Sequence, residues 1–146
     1  MAWIVDIDGT LALRTERGPF DWKRVGEDLP HAPVVTVVRA LMTRSPLVFM
    51  SGRMEQCRDL TRAWLHASVC EADGDTGRAL CTCDYPLHMR ADGDMRPDQV
   101  VKRELYEKHV QGVYEVEGVI DDRDRVVRMW RDELGLTVLQ CADGNF

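Results

Sequence analysis

Three short, mainly apolar runs in this chain each give way abruptly to a polar residue. Ala2 to Val5 runs into Asp6, Leu47 to Met50 into Ser51, and the alternating stretch Glu115 to Ile120 into Asp121. Short apolar runs of this kind read as buried strands. In open parallel sheets, sites form beyond the carboxyl ends of the strands. The three runs therefore deliver polar side chains from separate segments to one sheet edge. Helical patterns lie between and after them. Val34, Val35, Val37, Val38, Leu41 and Met42 give a helix from Pro33 a wide buried face, broken by Pro46. Glu55 to Ala67 reads as a helix with Leu60, Trp64 and Leu65 on one side. Pro97 starts a third helix, proline being favoured in a first turn, with Val100, Val101, Leu105 and Val110 as its apolar side. Arg123 to Leu134 is a fourth, with Gly135 as its C-terminal cap, and Leu136 to Cys141 is a closing strand. Leu87 to Met89 adds a short strand within the less regular stretch from Ser68 to Arg96. Strands alternating with helices give an α/β class with a central, mainly parallel sheet flanked by helices.

The chain's 146 residues suit one core, so residues 1–146 are expected to form a single domain. No stretch approaches the roughly 18 apolar residues that span a bilayer. The opening Met-Ala-Trp-Ile-Val-Asp reaches an acidic residue too early for a signal peptide, so a cytoplasmic location is expected. Five cysteines, an odd number, favour reduced thiols over a disulfide framework. The net charge of −6 argues against a broad, sequence-independent grip on nucleic acid. It leaves room for a short phosphorylated end, where a metal ion and a few arginines supply local positive charge.

Asp6-Ile7-Asp8-Gly9-Thr10 places two carboxylates two residues apart at a strand end. If the strand is still extended there, Asp6 and Asp8 share a side while Ile7 turns into the core. Asp6 can then attack phosphorus, and Asp8 can protonate the leaving oxygen and later activate water. A solvated turn is the rival reading. Ser51-Gly52-Arg53 offers a hydroxyl, backbone N–H groups and a guanidinium to a tetrahedral phosphate; taken alone it is also an ordinary loop. Asp98 and Lys102 stand four apart on one helical face. Lys102 can neutralise charge that builds during attack, and Asp98 can hold the lysine or an arginine, with a surface ion pair as the plain alternative. Asp121-Asp122 repel one another unless a cation or arginine compensates. Mg²⁺ takes hard oxygen ligands, and Asp6, the backbone carbonyl of Asp8 and one of Asp121 and Asp122 would make its shell. A helix N-cap accounts for one of the two aspartates and leaves the other unexplained.

In this order, Asp-x-Asp-Gly-Thr, Ser-Gly-Arg, lysine and Asp-Asp resemble the haloacid dehalogenase (HAD) superfamily of phosphotransferases along the whole chain. More narrowly, Glu16-Arg17-Gly18-Pro19-Phe20-Asp21, Thr61-Arg62-Ala63-Trp64, Gly93-Asp94-Met95-Arg96-Pro97-Asp98 and Val100-Val101-Lys102 resemble the 3′-phosphatase domains of phage polynucleotide kinase–phosphatases. Ile120-Asp121-Asp122-Arg123, Met129-Trp130-Arg131 and Gly144-Asn145-Phe146 fit the same pattern. The resemblance implies a Rossmann-like HAD fold, Asp6 as nucleophile, Asp8 as acid and base, and Arg17, Arg53 and Asp98 as essential partners. It further implies phosphate contacts from Thr10, Ser51, Gly52, Arg53 and Lys102, and Mg²⁺ held by Asp6, Asp8, Asp121 and Asp122. Three departures stand out. There is no Gly-x-x-x-x-Gly-Lys-Ser/Thr loop of a 5′-kinase. The chain closes on Gly-Asn-Phe where Gly-Asp-Phe is expected, and residues from about 68 to 84 are longer than in the phage enzymes, as a small cap or insertion would be.

Other features carry less. Cys70, Cys81 and Cys83 with His66 or His88 hold one Cys-x-Cys and no second close pair, which does not match a structural zinc pattern, so buried or loop thiols are expected. Trp3, Trp64 and Trp130 fall in expected elements and read as core. Trp22, in a polar segment, is either packed there or placed to stack on a terminal base. Arg14, Arg17, Lys23 and Arg24 are the densest basic group near the site. The expected activity is removal of 3′-phosphates from DNA or RNA ends, alongside a separate kinase or ligase. The rivals are a phosphatase for a mononucleotide or small metabolite, and a binding module on a HAD-like fold.

Overall fold

The computed structural model describes residues 1–70 and 81–146. Most of the 68–84 segment expected as a cap or insertion thus lies outside the described residues. Five strands form one parallel sheet: β1 (Ala2–Val5), β4 (Leu47–Met54), β5 (Leu87–Arg90), β6 (Val116–Asp121) and β7 (Val138–Gln140). Their order is β5-β4-β1-β6-β7. The chain leaves β1 toward β4 and β5, then returns to place β6 on the other side of β1. Strand order therefore reverses at β1, the kind of switch point where open α/β sheets form their clefts. Asp6 follows the last residue of that strand.

Period-two alternation divides the sheet's side chains between two cores. Val5, Leu47, Phe49, Leu87, Met89 and Ile120 face α1 (Ala32–Met42) and α2 (Arg58–Val69), packing with Val34, Val35, Val38, Trp64, Leu65 and Val69. Ile4, Val48, Met50, Val119 and Val138 face α3 (Asp98–His109) and α4 (Asp124–Arg128), packing with Val126, Val127, Met129 and Trp130. Trp3 is half-buried and lies across Gly118 of the neighbouring strand, where a Cβ would come within 2.5 Å of its ring.

The four expected helices and five expected strands are present, with informative differences. Val37, Leu60 and Val100 are exposed. Each lies off its helix's inward stripe, and on α2 the inward position next to Leu60 goes to a polar residue, buried Thr61, which accepts a hydrogen bond from Arg53. The fourth helix is regular only to Arg128 and widens into a π-turn over Met129–Glu133. The polar segment after Asp8 is ordered: β2 (Ala12–Leu13) pairs with β3 (Leu29–Pro30), and a 3₁₀ helix spans Trp22–Glu27. This excursion brings Arg14, Arg17, Phe20 and Trp22 to the cleft beyond the strand ends. Among the described residues, no helix is long and apolar enough to cross a membrane.

Candidate active site

β1 stops because the chain turns sharply on itself after Asp6. The Ile7 carbonyl accepts from the N–H groups of Thr10, Leu11 and Ala12, and Gly9 adopts φ 80°, a conformation that favours glycine. A Cβ at Gly9 would also lie 2.2 Å from Asp122 Oδ2, so the turn and the Asp121-Asp122 pair touch. The turn folds Thr10 back on the first aspartate. Thr10 Oγ1 donates to Asp6 Oδ2 at 2.8 Å, and Lys102 Nζ donates to Asp6 Oδ1 at 2.7 Å.

Lys102 is buried on α3 one turn after Asp98. Its ammonium also donates to Asp121 Oδ2 at 2.9 Å and stands 3.6 Å from Asp98. Trp130, carried by the π-turn, donates from Nε1 to the same Asp121 oxygen at 3.2 Å. Burial alone would neutralise Lys102, but the carboxylates of Asp121, Asp6 and Asp98 outweigh it and hold the ammonium above its usual range. Burial raises the Asp6 carboxyl, against the pull of Lys102. Burial and then the charge of Asp121 push Asp122 up to about 6.

Ligand atoms of Asp6, Asp121 and Asp122 lie within 4.8 Å of one another, and all three residues are buried. Three carboxylates facing one lysine leave excess negative charge, and their oxygens are the hard donors a divalent cation such as Mg²⁺ prefers. The donor set therefore fits the expected metal. Asp121 is engaged by Lys102 and Trp130, whereas Asp122 lines the cleft beside Asp6. The Asp8 side chain stays outside this group, leaving its backbone carbonyl as the expected contribution.

Asp8 is instead gripped by two arginines. Arg53 donates from Nε to Asp8 Oδ2 and from Nη2 to Asp8 Oδ1, both at 2.9 Å, and Arg17 Nη2 reaches Oδ1 at 3.2 Å. Behind them lies Asp28, with no solvent exposure of its side chain, accepting from Arg17 Nε and Nη2 at 2.7 Å each and from Arg53 Nη2 at 2.9 Å. Two buried guanidiniums are thus neutralised by one buried and one half-exposed carboxylate, which fixes Asp8 at the cleft wall.

Ser51 is buried, with its Oγ accepting the backbone N–H of Arg53 at 3.1 Å, while the backbone at Gly52 borders the cleft. A Cβ at Gly52 would fall 2.2 Å from Asp98 Oδ1. Asp98 accepts from Arg90 Nη2 at 3.1 Å and lies 3.7 Å from Arg123. It therefore holds both the lysine and arginines, the two options its sequence position left open. Among the expected residues, Asp6, Asp8, Gly52, Asp98, Lys102, Asp122 and Arg17 line one cleft of about 480 Å³. Thr10, Ser51, Arg53 and Asp121 support it from beneath. Phe20, Trp22, Met95 and Phe146 form its apolar rim, with Arg14, Arg96 and Arg123 among them. Phe20 and Trp22 meet edge to face at 6.1 Å, and Arg123 lies 4.9 Å over the Phe146 ring.

Asp28 and Arg90 escaped the sequence reading. Arg90 closes an apolar strand run just as Asp6 and Asp121 do, so the same rule finds it. Nothing local marks Asp28, since its role exists only once Arg17 and Arg53 converge on it.

The likeness to known proteins agrees with this geometry. The chain is 36% identical over 146 residues to a protein of Autographa californica nuclear polyhedrosis virus named as a polynucleotide kinase/RNA ligase, covering 97% of this chain but 20% of that protein. It also superimposes with TM-score 0.85 and 35% identity on chains from two structures, described as a Pnkp1/Rnl/Hen1 complex and a Pnkp1/Rnl/Hen1 RNA repair complex. The match covers 99% of this chain and 47% and 43% of those chains, so this chain spans a fifth to a half of its relatives' lengths. Residues 1–146 match the family model of the polynucleotide kinase PNKP phosphatase domain, and the chain belongs to that family of HAD-type phosphatases.

Proposed function

We propose that this domain removes the 3′-phosphate from a polynucleotide end through a phospho-Asp6 intermediate. The observation that carries the reading is the placement of Asp6, bound to Lys102 and Thr10, on the floor of a cleft rimmed by aromatic and arginine side chains. Asp6 attacks phosphorus while Lys102 offsets charge on the transferring group. Asp8, on the cleft wall, donates its proton to the leaving 3′-oxygen and then takes one from the water that hydrolyses phospho-Asp6. Arg17 and Arg53, braced by Asp28, keep Asp8 in position for both steps. Mg²⁺ bound by Asp6, Asp122 and the Asp8 carbonyl would offset the repulsion between phosphate and nucleophile. The rim offers faces on which a terminal base can stack and guanidiniums for the next phosphate.

A cleft of about 480 Å³ is of a size to enclose one nucleotide, so a mononucleotide 3′-phosphate is the competing substrate. The RNA repair attributed to one structural relative supports an RNA end, and the kinase/ligase name of the viral protein supports action beside a kinase or ligase. The test is incubation with Mg²⁺ and a 5′-labelled oligonucleotide bearing a 3′-phosphate, as RNA and as DNA, beside a mononucleotide 3′-phosphate. Loss of the 3′-phosphate alone, with the oligonucleotide preferred, is expected. An intact oligonucleotide beside a hydrolysed mononucleotide would limit the substrate to small molecules.

A further inference from the structure

We propose that His66, Cys70, Cys81 and Cys83 form a zinc site separate from the phosphatase cleft. None of the four lines that cleft. His66 sits in the last turn of α2 and Cys70 is four residues on, just past its end, so the two stack on one side of the helix terminus. Cys81 and Cys83 flank Thr82 at the 3₁₀ turn Thr82–Asp84. Cys70 Sγ and Cys81 Sγ are 3.8 Å apart, His66 Nδ1 is 3.4 Å from Cys81 Sγ and 3.8 Å from Cys83 Sγ, and ligand atoms of His66, Cys70 and Cys81 all lie within 4.8 Å. Tetrahedral zinc with ordinary Zn–S and Zn–N bonds separates two sulfurs by roughly 3.8 Å and a sulfur from a nitrogen by roughly 3.6 Å. For His66, Cys70 and Cys81 these separations need little adjustment to receive the ion, and Cys83, which meets His66 but stands outside that mutual 4.8 Å group, swings in as the fourth ligand.

The surroundings suit thiolates. Thr82 N–H donates to Cys70 Sγ at 3.1 Å and Cys83 N–H to Cys81 Sγ at 3.4 Å, the outer hydrogen bonds that orient metal-bound sulfurs. Arg62 donates to the carbonyls of Thr82 at 3.2 Å and Tyr85 at 2.7 Å, fixing the turn against α2. Its cation lies close to Cys81 and Cys83 and would balance the net negative charge of three thiolates and one imidazole on Zn²⁺. A packing role describes Cys57, which is buried in the core, but not these three, which are half-buried or exposed, with the Cys70 and Cys81 sulfurs facing each other and Cys83 facing His66. A Cys70–Cys81 disulfide would leave His66 and Cys83 without a reason to converge. The pattern His-x₃-Cys and Cys-x-Cys lacks the usual paired spacing, which is why sequence alone pointed away from zinc; the fold closes the gap.

The test uses the full chain under reducing conditions. Metal analysis of protein purified without added zinc is expected to find about one zinc per chain, retained in Asp6→Asn and lost in Cys81→Ser and Cys70→Ser. Stripped wild type titrated with Co²⁺ is expected to show tetrahedral d–d absorption together with sulfur-to-cobalt charge transfer. That signature separates these ligands from the carboxylates at Asp6, and it reads the wild-type protein should a serine variant fail to fold. Zn²⁺ should also raise the Tm of stripped wild type and leave that of Cys83→Ser nearly unchanged. Absence of sulfur-to-cobalt charge transfer in wild type, or equal zinc content in wild type and a folded Cys81→Ser, would overturn the proposal.

Discussion

Replacing Asp28 by alanine tests whether the buried arginine clamp is what positions Asp8. Arg17 and Arg53 donate three hydrogen bonds of 2.7–2.9 Å to this carboxylate, and all three side chains are essentially without solvent exposure. Its removal leaves two buried guanidiniums sharing one half-exposed acid, Asp8. Removing one partner from a buried charge cluster costs about 3–5 kcal/mol. With an unfolding entropy near 2.1 cal/mol/K per residue, a domain this size should lose about 10–16 °C in Tm. Asp28→Asn keeps one acceptor and the shape, so a smaller drop is expected. General acid–base catalysis contributes about 10²–10⁴-fold, and a loosened Asp8 should forfeit part of it, about 10–100-fold in kcat. Calorimetry and steady-state hydrolysis of a 3′-phosphorylated oligonucleotide read the two effects. Asp28→Ala with a Tm within about 3 °C of wild type and unchanged kcat would refute the argument.

Gly52→Ala should push on Asp98, whose Oδ1 would lie 2.2 Å from the new methyl. Kinetics should show a fall in kcat of about tenfold as Asp98 loosens its hold beside Lys102, whereas Gly26→Ala, with nothing near its Cβ and no left-handed backbone, should leave kcat unchanged. Gly118→Ala forces the Trp3 ring off β6, and urea unfolding should register a loss of about 1–3 kcal/mol. His88 stacks on His109 at 4.2 Å, and burial, then the charge of His109, lowers its pKa from 6.5 to about 4. The unfolded chain takes up this proton first, so the contribution is complete above about pH 6.5 and declines as pH falls toward 4. Discounted for half-burial, it amounts to about 1–2 kcal/mol. Unfolding free energies at pH 7 and pH 4 should differ less in His88→Gln than in wild type by that amount; equal differences would remove His88 as the cause.

The sheet and the floor of the site were legible because both rest on local pattern. Apolar runs that stop at Asp6 and Asp121 fix the strands and the edge they serve, and the Asp98–Lys102 spacing fixes a helix face. What stayed hidden depends on contacts between distant segments. Thr61 is polar yet faces inward because Arg53 awaits it, which is why Leu60 was misplaced. The excursion carrying Arg17, Phe20 and Trp22 has a two-residue ladder and a 3₁₀ helix, too short for periodicity to register. Asp28 acquires its role from residues 11 positions before it and 25 after it. The π-turn that brings Trp130 to Asp121 leaves the apolar pattern of an ordinary helix intact.

The most direct test of the central claim is acid quenching of the enzyme during turnover of a 3′-phosphorylated oligonucleotide with Mg²⁺, followed by peptide mass analysis. One phosphoryl group is expected on the peptide carrying Asp6, absent in Asp6→Asn. Turnover at the wild-type rate in Asp6→Asn, or phosphate release with no phosphoryl group ever found on the protein, would contradict it.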